Sequence, residues 1–316
     1  MRHSLRISIV TPSYNQGELL EQTLASIHSQ GINDLEHIVI DGGSKDNSLQ
    51  VIKKYSPRLA YWCSEPDGGQ YQAINKGFSK STGEIMGWLN SSDLYMPWTL
   101  KTVEDVFTRF PEVQWISSMR KVCIMEDGTF EWLDEMPGFS GKRLARGLHG
   151  GPGNGDYIQQ ETCFWRRGLW EKIGGKITDD YRFAGDFWLW AEFFKHSRCT
   201  GVEAPLAAFR FHGDQRSGEG RYHEEVRKII SKLQVSGESA GILSGYQNVV
   251  RRWIPAATGE GGRSELELVK YYDDRFYTLI KFFTDFSKKA RWAAASLIFL
   301  PIAGWHFVRR GFRRMG

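Results

Sequence analysis

Three clusters of polar side chains stand directly behind short apolar runs in the first third of this 316-residue chain. Thr11-Pro12-Ser13-Tyr14-Asn15 follows Ile7–Val10, Asp41-Gly42-Gly43-Ser44-Lys45-Asp46 follows His37–Ile40, and Asn90-Ser91-Ser92-Asp93 follows Ile85–Leu89. The apolar runs are short, rich in β-branched residues and closed by turn formers, so each reads as a buried strand with a polar tip. Ligands of open α/β sheets bind outside the carboxyl ends of strands. The three tips therefore predict one site, for a charged ligand.

The elements that must position these tips follow from periodicity. Leu19, Leu20, Thr23, Leu24 and Ile27 fall at helical spacing. Asp46 is placed to cap a second helix carrying Leu49 and Ile52. A strand is predicted at Leu59–Cys63, a helix at Gln70–Phe78, and a helix opened by Pro97 that runs to about Phe110. Trp115–Ser118, Val122–Met125 and Ala207–Phe211 read as strands, and Trp165–Ile173 and Asp186–His196 as helices. From Arg221 onward the pattern reads as helical, broken near Pro255–Arg263, and Gly147–Gly155 as a mobile loop. The βα alternation predicts a doubly wound, mainly parallel sheet of the α/β class. Residues 1–220 would form the main domain, 221–290 a helical extension and 291–316 an apolar and basic tail.

Composition narrows the class. A 41% hydrophobic content suffices for one large core plus an appendage. Cys63, Cys123, Cys163 and Cys199 lie far apart with no CxxC pair, against a structural zinc site or a disulfide scaffold, and read as buried reduced thiols. Residues 281–316 hold eight basic side chains and one acid, leaving 33 basic and 36 acidic residues, a net charge of −3, on the remainder. The main domain therefore offers no basic surface for nucleic acid. Within the tail, Trp292–Val308 is an apolar stretch of 17 residues between basic flanks. As a helix it would reach about 26 Å, at the lower limit for spanning a bilayer, and Pro301 and His306 weaken a spanning reading. Basic flanks suit a helix lying in the membrane interface on anionic lipids; the other reading is a C-terminal helix packed on protein. No signal peptide is visible ahead of the first strand, so the expected location is cytoplasmic, peripheral at the inner face of the cell membrane.

Six ordered segments resemble family 2 glycosyltransferases: Val10–Asn15, Ile40–Ser44, Glu65–Gly69, Ala73–Gly77, Trp88–Asp93 and Asp186–Trp190. The resemblance covers roughly residues 5–220. It implies a GT-A fold with a Rossmann-like sheet, a nucleotide-diphosphate sugar donor, and inversion at the anomeric carbon. It puts Thr11, Pro12 and Tyr14 in the first nucleotide-contacting loop, with Tyr14 either stacking on the base or packing under the loop. Asp41 would accept from a uracil or guanine N–H; its other reading is an Asx-turn residue that closes the strand. The region of Asp67 and Lys76 helps hold the nucleotide in the family. Asp186 falls where the family places its catalytic base, although by spacing alone it is a helix cap. Gln160 and Glu161 fall near the acceptor, and His212 near the diphosphate ahead of a flexible loop at Gly213–Gly220.

The resemblance departs at Asn90-Ser91-Ser92-Asp93. Family members carry an acidic triplet here whose last acid binds Mg²⁺ or Mn²⁺, and such cations want carboxylate oxygen. This chain has Asn90 first and Ser92 at the ligand position. Three readings stay open: Asp93 and His212 take over as ligands; cations such as Lys76, Arg210 or Arg216 balance the diphosphate; or activity is lost, leaving a nucleotide-sugar-binding partner of an active transferase. The implied function is glycosyl transfer to a lipid-linked or polysaccharide acceptor in cell-surface glycan assembly. No G-x-x-x-x-G-K-[ST], G-x-S-x-G or H-E-x-x-H is present. The residues after the first strand also lack the Gly-rich, Arg-containing loop that a sugar nucleotidyltransferase needs.

Overall fold

Ile7–Ser13 (β1) is buried at every position. A strand with neighbours on both edges and cover on both faces needs a continuous apolar run rather than alternation. The computed structural model describes residues 5–136, 138–150, 157–213, 220–235, 247–252 and 266–271. After β1 the chain alternates through α1 (Gly17–His28), β2 (Leu35–Asp41), α2 (Ser48–Tyr55), β3 (Tyr61–Ser64), α3 (Gln70–Lys80) and β4 (Ile85–Trp88). These four strands are mutually parallel in the order β4-β1-β2-β3. The chain works outward from β1 to β3 and then returns to the other side of β1. That reversal opens a crevice at the carboxyl ends of β1 and β4, where the polar tips stand.

Helix α1 turns Leu20, Thr23, Leu24 and Ile27 inward, as their spacing predicts. Helix α3 approaches β1 closely at Gly77, where a Cβ would lie 2.5 Å from Val10 Cγ1.

Beyond β4 come β5 (Leu94–Tyr95), α4 (Thr99–Arg109), β6 (Trp115–Ser118), β7 (Arg120–Ile124), β8 (Phe130–Glu135), α5 (Gly141–Ala145), a 3-10 turn at Gln160–Thr162, β9 (Phe164–Arg166) and α6 (Arg167–Lys172). Then follow α7 (Gly185–His196), β10 (Cys199–Val202), β11 (Ala207–Arg210), α8 (Arg221–Val235), β12 (Gln247–Arg252) and β13 (Leu266–Tyr271). The main sheet runs β13-β12-β10-β6-β9-β4-β1-β2-β3, with β9 antiparallel between β4 and β6. A second sheet, β5-β11-β7-β8, stands behind the β4 tip.

Two expectations are corrected. Trp165 opens no helix: Phe164–Arg166 is a strand whose alternate residues serve the two faces, Trp165 in one core cluster and Phe164 in the other. The helix there starts at Arg167. The helical reading after Arg221 holds for α8 but not for Gln247–Arg252 and Leu266–Tyr271, an antiparallel pair that extends the main sheet past β10. Neighbouring strands override weak local preference there. Val226, Ile229 and Leu233 of α8 lie in the main core.

That core is aromatic. Trp190 of α7 is stacked between Trp88 (5.9 Å) and Trp115 (5.4 Å). The contact fixes α7 on the sheet, and with it the residues at its N-terminus. Among the described residues no helix is long and apolar enough to cross a membrane. Trp292–Val308, Arg216 and most of Gly147–Gly155 lie outside the described residues.

Candidate functional site

The loops behind β1 and β2 are built as one unit. Asn15 takes a left-handed backbone (φ 51°). Its amide donates to Ser44 Oγ at 2.8 Å, and its side-chain oxygen accepts from the Lys45 amide at 2.8 Å. The Gly42 amide donates to the Ser13 carbonyl at 2.9 Å. Asp46 accepts from the amides of Gly17 and Ser48, which ties the starts of α1 and α2 together.

Asp41 is fully buried at the end of β2. Its carboxylate accepts from the amides of Gly43 (3.1 Å) and Ser44 (2.9 Å) and from the hydroxyls of Ser44 and Ser64. These donors match the roughly four lone-pair sites of a carboxylate. The turn-closing role is therefore the one its contacts display. The Thr11 side chain also faces away from the crevice: it lies 3.0 Å from His37 Nε2, and His37 Nδ1 lies 2.9 Å from His28 Nε2. Burial pushes His37 well below its ordinary pKa and takes His28 down to about 4. Pro12 is buried within β1.

The open part of the crevice belongs to Tyr14 and Asp67. Tyr14 is 62% exposed, an unusual state for an aromatic ring beside a polar loop. A Cβ on Gly42 would lie 3.2 Å from both the Tyr14 ring and Asp67 Oδ2. The missing side chain lets the Tyr14 ring and the Asp67 carboxylate approach the Gly42 backbone from two sides, and the place between these two exposed side chains is the candidate nucleotide slot. Asp67 also accepts from the Gly69 amide at 2.8 Å, at the start of α3. Lys76, nearly two turns along α3, pairs with Glu65, which raises its pKa.

The segment behind β4 is a closed polar network. Asn90 accepts from Gln70 at 2.6 Å and donates to Gln160 (3.0 Å) and Asp93 (3.2 Å). Asp93 is buried, accepts from the Arg210 amide at 3.1 Å, and is pushed up to about 7 by burial. The Arg210 guanidinium, itself buried, donates to the carbonyls of Ser92 and Glu126 and to Gln22. The Ser91 hydroxyl donates to Gln16, whose amide nitrogen lies 3.4 Å from His212 Nε2. The donor set here is one buried carboxyl of raised pKa, the Asn90 amide and the hydroxyls of Ser91 and Ser92, the former committed to Gln16. That chemistry does not fit Mg²⁺ or Mn²⁺, which take several free oxygens. No group of three or more His, Cys, Asp or Glu side chains suited to a metal occurs among the described residues. Asp93 is engaged by Asn90 and the Arg210 amide, His212 lies beside Gln16, and the Arg210 guanidinium is held by carbonyls of the fold.

Asp186 stands in the first turn of α7, with its carboxyl pushed up to about 6, mainly by burial. Its Oδ1 accepts from the Phe187 amide at 2.8 Å and lies 3.4 Å from the Tyr71 hydroxyl. Glu161, in the 3-10 turn, is buried with Oε1 lacking a hydrogen-bond partner. Burial, with Asp93 and Asp186 nearby, pushes its carboxyl well above the usual range. Tyr71, Gln16, Gln70 and Glu225 complete the surroundings. Sequence reasoning missed these four; only Gln70 and Tyr71 carried a signal, their place at the helix start behind the Glu65–Gly69 segment.

The chain was compared with known proteins. The profile of glycosyl transferase family 2 matches residues 8–171. An uncharacterised glycosyltransferase of Mycobacterium tuberculosis is 40% identical over 90 residues, 28% of this chain and 34% of that protein. One from Rickettsia conorii is 31% identical over 238 residues, 72% of this chain and 37% of the relative. The chain thus spans only about a third of the length of these relatives. The crystal structure of Staphylococcus aureus TarS 1–349 with UDP-GlcNAc superposes with a TM-score of 0.57 at 17% identity, over 72% of this chain and 66% of that one. A mannosyltransferase from Pyrobaculum calidifontis, in complex with GDP-Man and Mn²⁺, gives 0.52 at 18% identity, over 74% and 65%. The two structures share the GT-A-like fold of this chain. With its profile matched over half of the residues, this chain belongs to glycosyl transferase family 2.

Proposed function

We propose that this glycosyltransferase moves a sugar from a nucleotide-diphosphate donor, with inversion, to a hydroxyl of a glycan or lipid-linked acceptor in cell-surface glycan assembly. The observation that carries this reading is the Asp186 carboxyl. It is partly buried, pushed up to about 6 and joined through Tyr71 to α3, the helix that begins at the nucleotide slot. A base must be ionised at working pH yet basic enough to take a proton, and a pKa near 6 meets both demands.

The nucleotide base would enter the slot between Tyr14 and Asp67, over Gly42. Thr11, Pro12 and Asp41 hold the slot's loops from behind. The diphosphate would lie toward Asn90–Asp93. Asp186 would take the acceptor hydroxyl's proton as that oxygen bonds to the anomeric carbon. The bond from this carbon to the diphosphate breaks on the opposite face, and the nucleoside diphosphate leaves. The donor complexes of the two solved relatives support nucleotide-sugar binding. A divalent cation is implied by the family and by the Mn²⁺ of the mannosyltransferase, but the residues at Asn90–Asp93 do not fit one and no step is routed through it. The basic, apolar tail supports association with a membrane surface.

A second reading, a nucleotide-sugar-binding partner without turnover, is favoured by one residue, Ser92 at the expected ligand position. Nucleoside diphosphate release from a panel of UDP-, GDP- and dTDP-sugars separates the two. Release that disappears in Asp186→Asn while donor binding persists supports the enzyme. Binding with no release in the native chain rejects it.

A further inference from the structure

The turn that presents Asp186 is held by a residue some forty positions downstream. Glu225, in α8, accepts hydrogen bonds from three successive amides: Arg182 (3.0 Å) on Oε1, and Phe183 (2.7 Å) and Ala184 (2.8 Å) on Oε2. Ala184 immediately precedes α7, and Asp186 is the second residue of that helix. The opposite side of the same turn is also fixed, because the Phe183 carbonyl accepts from Tyr71 at 3.0 Å. The guanidinium of Arg221, one turn before Glu225, stacks over the Phe183 ring at 5.3 Å. A carboxylate at a helix start is an ordinary cap, worth about 0.3–1 kcal/mol. Three bonds from consecutive amides, made from another helix, do more: they set where the following carboxylate points.

We propose that Glu225 is a positioning residue for the transfer reaction, its carboxylate fixing the Arg182–Ala184 turn so that Asp186 faces the acceptor. The proposal rests on Asp186 being the base. The groups facing Asp186 are Tyr71 from α3, Tyr222 and Glu225 from α8, Glu161 from the 3-10 turn and the Cys163 thiol just after it. Of these, the Glu225 charge opposes ionisation of Asp186 and the Tyr71 hydroxyl favours it. Helix α8 therefore holds the turn that sets the carboxylate's direction, and its Glu225 charge adds to the rise in pKa that burial dominates.

The first test needs no substrate. In full-length protein carrying ¹³C-carboxyl aspartate, the Asp186 signal is assigned by its loss in Asp186→Asn and titrated. The native midpoint should lie near 6. It should fall in Glu225→Gln, which removes the charge that opposes ionisation of Asp186. It should hold in Glu225→Asp, which keeps the charge but is too short to reach all three amides. An Asp186 carboxyl signal unmoved in chemical shift in both Glu225→Gln and Glu225→Ala overturns the proposal, because a turn freed of its three bonds would not leave the carboxylate where it was. The second test is nucleoside diphosphate release from the panel above. Glu225→Asp should lower kcat about tenfold with the donor KM within about twofold, and leave the acid limb in place. Native kcat in Glu225→Asp and Glu225→Ala, with Asp186→Asn inactive, sinks the positioning role alone. Native turnover in Asp186→Asn sinks the base assignment, and the proposal with it.

Discussion

The Tyr71 hydroxyl and Asp186 are joined twice: the hydroxyl accepts from the Asp186 amide at 3.2 Å and lies 3.4 Å from Asp186 Oδ1. Its single proton is shared between the Phe183 carbonyl, 3.0 Å away, and the Asp186 carboxylate. Tyr71 thus links the helix at the nucleotide slot to the start of α7. Tyr71→Phe should leave the Phe183 carbonyl and the Asp186 amide unsatisfied, at about 1–3 kcal/mol of stability. It should also move the acid limb of kcat/KM upward, because the hydroxyl favours the ionised carboxylate. A pH–rate profile together with a denaturant melt checks both. A limb that moves downward would contradict the assignment.

Asp186 also leaves a mark on stability. Its folded pKa of about 6 exceeds the ordinary 3.8, so the folded chain binds that proton more tightly than the unfolded chain. The destabilisation that follows is absent below about pH 4, grows up to about pH 6 and is constant above, reaching up to about 3 kcal/mol. Asp186→Asn keeps an acceptor for the Phe187 amide and removes the charge. It should therefore melt higher than the native chain at pH 7.5 and equal to it at pH 3.5, in scanning calorimetry.

Gly42→Ala tests the nucleotide slot. The new Cβ meets two side chains at 3.2 Å, and Tyr14 and Asp67 are both exposed and able to move aside. Stability should change by less than about 0.5 kcal/mol. A nucleotide lying over Gly42 would meet the methyl group, so donor affinity should drop about tenfold by calorimetry. Unchanged affinity would place the base elsewhere.

The donor set behind β4 predicts how the chain responds to chelation. Nucleotide-sugar binding should be the same in EDTA and in Mn²⁺, within about twofold, since Asn90, Ser92 and Asp93 offer no oxygen cage. Ser92→Asp restores the acid that the family pattern has at this position. It should make binding rise with Mn²⁺. Strong loss of native-chain binding in EDTA would show that Asp93 leaves Arg210 and takes a cation.

The parallel half of the fold was legible because its strands are buried on both faces and therefore read as unbroken apolar runs; β1 and β4 are clear cases. The polar tips were legible for the same reason, as breaks in those runs. Side-chain direction was less so. Thr11 and Ile9 share a face of β1, and that parity turns Thr11 toward His37 rather than the crevice. The surroundings of Asp41 were not legible, because the loop donors around it are backbone amides and serines, which carry no distinctive pattern. Of the second sheet, β7 and β11 were legible as strands, whereas β5 was hidden because a strand as short as Leu94–Tyr95 owes its form to its partner. Tyr71 and Glu225 reach the Asp186 turn across long sequence separations, and no local periodicity records such a contact.

The bond from the Arg210 amide to Asp93 spans 117 residues. Contacts of that separation pay the largest loop-closure entropy and form late in folding. The segment behind β4 can therefore take its final shape only after β11 has left the ribosome. A nascent chain ending before Arg210 would carry the loops of Tyr14 and Asp67 without the closed polar network behind β4. Grafting the first two hundred residues onto another protein would transplant a half-built pocket, whatever the quality of its parallel sheet.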